Sequence, residues 1–281
     1  IEYAHGKPGV LIADEPGLGK TIEVAGIINA DASLQKVLIV CPASLKLNWQ
    51  KELKKWLVRG QSVGLAKSGS APLPDTDVII ANYDIVRGLR KQIDVINWDL
   101  LVCDESHYLK NGKALRTQSV LGGKSDIPIH AKKRIFLTGT PIVNKPIDLW
   151  SLVRSLDPRG LGENYINFGK RYCGGYQQKV PGAGMVWDMS GASNLGELQE
   201  KLRSSIMIRR LKSEVLTELP PKRRQIIEIP VSGAVAKIVK AELAAWEEKE
   251  KALSNLKAEV RKAKAKAGDN NTDAGYLEAI R

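Results

Sequence analysis

A loop suited to binding phosphate lies near the start of the chain, in the sequence ADEPGLGKT. Gly17 and Gly19 allow backbone N–H groups to turn inward around phosphate oxygens, and the start of a following helix adds positive potential. Lys20 is placed to reach the β- and γ-phosphates of a nucleoside triphosphate, and Thr21 to ligate Mg²⁺. The full GxxxxGK[ST] pattern has glycine where Asp14 stands, so an ordinary strand-to-helix turn is the alternative.

Two acidic residues follow a second apolar run. Asp104 and Glu105 come directly after residues 98–103, which are typical of a buried strand. Ligands of open α/β sheets bind at the carboxyl ends of the strands, so we expect Asp104 and Lys20 to face one crevice from neighbouring strands. Asp104 would hold Mg²⁺ through water, and Glu105 would orient and deprotonate the attacking water. An exposed loop or a helix cap is the alternative for such an acid pair.

A third group of small residues follows another apolar run. Thr138, Gly139 and Thr140 stand before Pro141. Their position predicts that they sense the γ-phosphate region and couple its state to another element. A hydrogen-bonded turn without such a role is the alternative.

Alternating elements are predicted to position these three groups. Short runs rich in Val, Ile and Leu recur with helical segments between them, at residues 10–13, 37–41, 78–81, 100–103 and 135–138. They predict βαβ units in a doubly wound, mostly parallel α/β sheet, whose strands are apolar throughout because helices cover both faces. Ser44 is expected to cap an amphipathic helix that buries Trp49 and Leu53. Another helix is predicted over residues 147–156, before Pro158.

The composition of the sequence changes after Pro158. No further apolar strand runs are evident, and helical patterns resume near Leu195, with a long Ala-, Lys- and Glu-rich segment at 234–267. We therefore predict two regions, a nucleotide-binding lobe at 1–158 and a mainly helical extension at 159–281.

Overall composition is that of a basic globular protein. The 281 residues include 43 Lys and Arg against 31 Asp and Glu, which leaves a formal net charge of +12 and favours a polyanionic partner such as nucleic acid. A hydrophobic content of 43% excludes disordered and collagenous classes. Residues 1–10 are not expected to be a signal peptide, and no apolar run is long enough for a membrane helix, so we expect no membrane partner. The three widely spaced cysteines suggest buried thiols instead of a disulfide framework or a zinc site.

The motifs, in this order, resemble those of superfamily-two helicases, and among them the Swi/Snf-type DNA-dependent ATPases. Motifs I, Ia, Ib, II and III of that family resemble, respectively, residues 14–21, 39–45, 80–84, 104–107 and 137–141. The continuation Leu109-Lys110-Asn111, and the later IRRLKSEV at 208–215 with LPPK at 219–222, are most similar to Swi/Snf proteins of the annealing-helicase branch.

The resemblance implies a RecA-like P-loop NTPase lobe, followed by a helical protrusion, that uses ATP and Mg²⁺ and moves along double-stranded DNA through sequence-independent backbone contacts. By this resemblance the nucleotide is bound by Glu15, Pro16, Gly17, Leu18, Gly19, Lys20, Thr21 and His107. Thr21 and Asp104 are the expected metal-site residues. Ser44, Lys46, Asn82 and Tyr83 are the expected DNA contacts.

Two positions depart from the family pattern, since Pro16 stands where methionine is usual and Ser106 where alanine is usual. The resemblance also implies that the family's adenine-reading glutamine motif precedes Ile1 and that a second RecA-like lobe with arginine fingers follows Arg281. ATP hydrolysis by this chain alone is then expected to be feeble.

Two other functions remain open from the sequence. One is a strand-separating DEAD/DEAH-type helicase, and the other is a non-catalytic DNA-binding module. The expected location is intracellular, cytoplasmic for a bacterial or viral protein and nuclear for a eukaryotic one.

Overall fold

The computed structural model describes residues 1–123, 126–141, 145–180, 182, 184–218 and 233–266. The chain forms two compact units, Ile1–Leu219 and Pro220–Arg281. The second unit contributes one described element, the long helix Gly233–Lys266. This helix confirms the helical segment predicted at 234–267, of which residue 267 lies outside the described ranges. The LPPK segment at 219–222 also lies outside them.

Strands and helices alternate through the first half of the chain. The strands are β1 (Gly9–Ile12), β2 (Val37–Cys41), β3 (Val63–Leu65), β4 (Val78–Asn82), β5 (Trp98–Cys103), β6 (Ala131–Leu137), β7 (Tyr176–Val180), β8 (Gly184–Asp188) and β9 (Met207–Ile208). The α-helices are α1 (Lys20–Ala30), α2 (Lys46–Trp56), α3 (Tyr83–Ile93), α4 (Leu115–Leu121), α5 (Trp150–Leu156), α6 (Tyr165–Tyr172), α7 (Leu195–Ser205), α8 (Lys212–Val215) and α9 (Gly233–Lys266). None of the helices within the described ranges is long and apolar enough to cross a membrane.

Seven strands form one sheet in the order β3-β4-β2-β5-β6-β1-β9. Every pairing between neighbours is parallel. Helices cover both faces of this parallel sheet, with α1 and α2 on one face and α3 and α5 on the other, so the predicted doubly wound α/β fold is confirmed. All five predicted apolar runs lie in this sheet, and the helix predicted at 147–156 is present as a 3-10 turn, Pro146–Leu149, continued by α5.

The two faces of the sheet are buried in separate apolar clusters. In β2, Leu38 and Val40 point into one cluster, which also contains buried residues of α3, α5, α6 and α7. Val37 and Ile39 point into the other, against α1 and α2. Because side chains alternate between faces and both faces are covered, the strand is apolar at every position.

The region after residue 158 contains strands that the sequence did not predict. β7 and β8 pair as an antiparallel hairpin of mostly exposed residues, so they lack an apolar run. β9 has two residues, too few for a pattern, yet it pairs with β1 at the edge of the main sheet. The compact unit that contains the sheet extends to Leu219, and the division into a nucleotide-binding lobe at 1–158 and a helical extension at 159–281 stays a prediction.

Candidate active site

The phosphate-loop residues lie between the end of β1 and the start of α1. Gly17 has φ +90° and Gly19 has φ +88°, backbone angles that favour glycine over any residue with a Cβ. Gly19 is the residue before α1, so the loop turns directly into the helix N-terminus. The Lys20 ammonium donates to the carbonyl oxygens of Asp14 at 2.8 Å and Glu15 at 3.4 Å. It is thus held within the loop, where phosphate oxygens could replace those carbonyls.

A partly buried ion pair supports this loop from a distant part of the chain. Asp14, at the position where the full pattern has glycine, is completely buried. Its Oδ1 accepts from the backbone N–H of Arg210 at 2.8 Å, and its Oδ2 from Arg210 Nε at 2.9 Å. The same guanidinium contacts Glu23 on α1. Burial raises the pKa of Glu23, and the negative charge of the neighbouring Asp14 raises it further. Arg210 therefore neutralises a carboxylate pair beneath the loop.

Residues 209–212, which we call the strap, lie along the phosphate loop. Arg209 donates to the carbonyl oxygen of Ala13 at 2.9 Å, and the Lys212 backbone N–H donates to Glu15 Oε2 at 2.6 Å. The sequence suggested only that Arg209 and Arg210 form a basic pair that could touch DNA or lie on a solvated face, and it predicted no contact with the phosphate loop. The only other signal was their place in the IRRLKSEV segment that carried part of the family resemblance.

The acidic pair lies at the carboxyl end of β5. Asp104 is 8% exposed. Its Oδ2 accepts from the Trp49 indole N–H at 2.8 Å and its Oδ1 from the Glu105 backbone N–H at 2.9 Å. The Tyr83 hydroxyl donates to its carbonyl oxygen at 2.7 Å. Burial raises the pKa of Asp104, although the Trp49 hydrogen bond and the charge of Lys20 oppose that shift. Lys20 is thus within electrostatic reach of this carboxylate.

Glu105 has a strained backbone. Its φ of 47° and ψ of 49° lie in the left-handed region, which non-glycine residues seldom occupy. Such strain persists where the surroundings impose it, and it is concentrated at functional sites. The Glu105 carboxylate is partly exposed, and its Oε2 lies 3.2 Å from His107 Nδ1. The turn therefore presents the acid at the surface of the crevice beside the imidazole.

Residues 138–140 lie between the other two groups. β6 separates β5 from β1, so the expectation that Asp104 and Lys20 come from neighbouring strands is wrong. The buried Thr138 and the exposed Thr140 line one small cavity with His107. A Cβ on Gly139 would lie 2.8 Å from Cγ of Pro16, so only glycine fits against the phosphate loop here. The segment thus contacts both the loop and the His107 side of the crevice.

The four expected DNA contacts differ in accessibility. Ser44 is exposed but caps no helix, because a 3-10 turn, Ala43–Leu45, precedes α2 and the Ser44 side chain makes no capping hydrogen bond. Lys46 Nζ is half-buried and donates to Ala66 O at 2.5 Å and Asn82 Oδ1 at 3.3 Å. Asn82 is 7% exposed and Tyr83 is 2% exposed. The buried Tyr83 side chain, bonded to Asp104, is not placed for the direct DNA contact that was expected.

The donor set at this edge fits Mg²⁺. Thr21 and Asp104 offer hard oxygen ligands. Each Asp104 oxygen accepts one hydrogen bond, and since a carboxylate oxygen has two lone-pair sites, each keeps one site for the metal or its water. Among the described residues, no group of three or more His, Cys, Asp and Glu side chains forms a metal cage. Mg²⁺ is commonly held by one or two carboxylates together with substrate phosphates, so a cage is not required.

The parallel sheet and the glycine loop at its carboxyl edge define a RecA-like lobe of the P-loop class. The chain belongs to the SNF2-related domain family, whose profile matches residues 1–281. It is 36% identical over 256 residues to the DNA annealing helicase and endonuclease ZRANB3 of Bos taurus, covering 88% of this chain and 23% of that protein. It is 35% identical over 250 residues to the SWI/SNF-related matrix-associated actin-dependent regulator of chromatin subfamily A-like protein 1 of Xenopus tropicalis, covering 87% and 25%. The predicted resemblance to the annealing-helicase branch is confirmed.

Solved structures agree with this assignment. The SWI2/SNF2 ATPase core of Sulfolobus solfataricus in complex with dsDNA matches with a TM-score of 0.56 and 28% identity, covering 74% of this chain and 41% of that one. A second structure, that of the SWI2/SNF2 ATPase core domain of Sulfolobus solfataricus, matches with a TM-score of 0.56 and 27% identity, covering 84% of this chain and 46% of that one. The chain spans about a quarter of the length of the curated relatives it matches and less than half of these cores.

Proposed function

We propose that this chain is the first ATP-binding lobe of an enzyme that hydrolyses ATP to move along double-stranded DNA. One observation carries the proposal. The Lys20 loop, the acids Asp104 and Glu105, and the 138–140 segment follow strands β1, β5 and β6 and converge at one edge of the sheet.

Each part of the site has a proposed task. The N–H groups of residues 17–21 and the Lys20 ammonium bind the phosphates. Glu105, displayed by its left-handed backbone, orients the attacking water and accepts its proton. Thr138 and Thr140 share a cavity with His107, an arrangement that supports a coupling role next to the γ-phosphate.

The proposed metal is Mg²⁺, which Thr21 and Asp104 would hold. When bound, Mg²⁺ neutralises charge that develops on the phosphate oxygens. Within this chain, Trp49 and the Glu105 backbone N–H hold both oxygens of the Asp104 carboxylate in a fixed orientation.

The proposed DNA face lies at the start of α2 and α3. Ser44 is exposed and Lys46 lies beside it, so both can reach a phosphate backbone, whereas Asn82 supports Lys46 through its amide oxygen. Lys46→Ala is expected to weaken duplex binding equally for all sequences and to lower the salt slope of the logarithm of affinity by about 1. A titration at several salt concentrations measures that slope. An unaltered slope contradicts the assignment of Lys46.

We also propose that a second lobe completes the site with arginine side chains, since such residues contribute about 10³- to 10⁵-fold in rate. An intracellular location stays a prediction, nuclear in a eukaryotic cell. The curated relatives are about four times as long as this chain, and the function proposed for the whole enzyme is translocation along duplex DNA.

Nucleotide binding tests the proposal most directly. Lys20→Ala is expected to weaken ATP binding about ten- to a hundredfold, because a hydrogen bond to a charged group is lost. Lys179→Ala, a change at an exposed lysine on β7, is the matched control and should bind as the unaltered chain does. Equal affinity of all three proteins would refute the proposed site.

Turnover tests the catalytic role. ATP hydrolysis by this chain, with and without duplex DNA, is expected to lie close to that of Glu105→Gln, with Glu200→Gln as a control for a distant exposed carboxylate. Strong DNA-stimulated turnover that Glu105→Gln abolishes would keep the enzyme class and refute the need for a second lobe.

A further inference from the structure

Asp104 receives hydrogen bonds from two helices that follow other strands. Trp49 lies on α2, after β2, and its indole N–H donates to Asp104 Oδ2 at 2.8 Å. Tyr83 begins α3, after β4, and its hydroxyl donates to the Asp104 carbonyl oxygen at 2.7 Å. The side chain and the backbone of one residue at the sheet edge are thus each held by a different element.

Both donors are rigidly placed. Trp49 is 1% exposed and Tyr83 is 2% exposed. The Tyr83 ring stacks on Tyr108, with centroids 5.6 Å apart and planes 7° from parallel. An indole nitrogen is a donor only, and in this buried place Asp104 is the acceptor it uses. Neither donor can turn away from Asp104 without leaving a buried polar group unpaired.

The same two helices carry the proposed DNA face. Lys46 precedes Trp49 by less than one turn of α2, and Asn82 immediately precedes Tyr83. Lys46 Nζ and Asn82 Oδ1 lie 3.3 Å apart. The helix starts are therefore joined to each other on the DNA side and to Asp104 on the nucleotide side.

We propose that Trp49 and Tyr83 are positioning residues that hold Asp104 in the orientation needed for the Mg²⁺ of a bound nucleotide. This inference rests on the proposed function and assigns the origin of the metal-site geometry to α2 and α3. Mutation of a partner that orients a metal-binding side chain typically lowers metal affinity about 10- to 100-fold.

A second tryptophan separates this role from simple packing. Trp98 is also 1% exposed, and its indole N–H donates to the Ile93 carbonyl oxygen at 3.0 Å. Trp49→Phe and Trp98→Phe each remove one buried indole and one hydrogen bond. Only Trp49→Phe changes a contact of Asp104.

The experiment measures ADP binding to the whole 281-residue chain by calorimetry, once with Mg²⁺ and once with EDTA. The ratio of the two affinities is the Mg²⁺ increment. Trp49→Phe is expected to lower this increment about tenfold and to leave binding in EDTA unchanged. Trp98→Phe should keep the full increment. Tyr83→Phe, which removes one oxygen and retains the stacked ring, should lower it by a smaller factor because it loosens the backbone of Asp104 instead of its carboxylate.

A direct metal measurement accompanies the calorimetry. Mn²⁺ replaces Mg²⁺, and its binding to the ADP-saturated chain is followed by electron paramagnetic resonance. The expected order of Mn²⁺ affinity is unaltered chain and Trp98→Phe first, then Tyr83→Phe, then Trp49→Phe.

Three results have different meanings. An unchanged increment in a folded Trp49→Phe, or an equal loss in Trp98→Phe, overturns the proposal. If Trp49→Phe does not fold, Tyr83→Phe decides, and an unchanged increment there overturns it. Absence of ADP binding by the unaltered chain in both buffers overturns the proposed function itself, a failure that is distinct from loss of the increment alone.

Discussion

Removal of the Arg210 guanidinium is expected to destabilise the first unit, because this group neutralises Asp14, a buried carboxylate 196 positions earlier in the chain. Arg210→Met retains a long apolar stem and deletes every charged contact to Asp14 and Glu23. Asp14 then keeps only the Arg210 backbone N–H at 2.8 Å, and its carboxylate stays fully buried without a cation. The partly buried Glu23 also loses this cation, so the repulsion between the two neighbouring carboxylates is no longer offset.

The size of the effect follows from exposure. Breaking a fully buried ion pair costs about 3 to 5 kcal/mol, whereas exposed pairs contribute about 0 to 1 kcal/mol. The Arg210 side chain is 42% exposed and Asp14 is 0% exposed, so solvent screens one partner only. We expect a loss of about 2 to 3 kcal/mol in the free energy of unfolding. For a unit of this size that lowers Tm by about 4 to 12 °C.

The assay is thermal unfolding followed by circular dichroism, with Arg171→Met as the matched control. Arg171 also contacts a carboxylate through its guanidinium, that of Glu197, but its side chain is 60% exposed. Arg171→Met should therefore lower Tm far less. Adding Asp14→Asn to Arg210→Met should recover part of the loss, because a neutral amide needs no cation. Equal Tm values for Arg210→Met and Arg171→Met would refute the argument from burial.

Other predictions concern packing and pH. Gly139→Ala would place a methyl group 2.8 Å from the ring of Pro16 and should lower the free energy of unfolding by about 1 to 3 kcal/mol. Gly196→Ala on α7 is the control, because a Cβ there would have no atom within 4 Å and should not destabilise the fold. Urea unfolding compares the two variants, and equal midpoints would contradict the close contact at Gly139. Hydrogen bonds from Lys133 and Ser33 lower the pKa of Asp31 to about 2. A lowered carboxylate pKa stabilises the fold above the unfolded pKa and ceases to do so as pH falls through about 2. Lys133→Met should thus have a lower free energy of unfolding than the unaltered chain at pH 7, and this difference should shrink between about pH 4 and pH 2. Unfolding measured across this pH range tests it, and a difference independent of pH would contradict the Lys133–Asp31 ion pair.

Much of the fold was predictable because its signals are local. A strand covered on both faces is apolar at each position, so five of the seven strands of the sheet stand out as apolar runs. β3 has three residues and β9 has two, and neither is long enough to produce a pattern. The hairpin of β7 and β8 is exposed on most of its residues and carries no hydrophobic alternation.

The sequence by itself determined the phosphate loop, the acid pair and the family resemblance, because each depends on residue types at fixed short spacings. Only the tertiary structure decided that β6 lies between β1 and β5, that Arg210 neutralises Asp14, and that Trp49 and Tyr83 hold Asp104. The reason is physical. A hydrogen bond between residues 49 and 104, or between 14 and 210, depends on the order of strands in the sheet and on where the chain returns to its edge, and no local pattern records either of these.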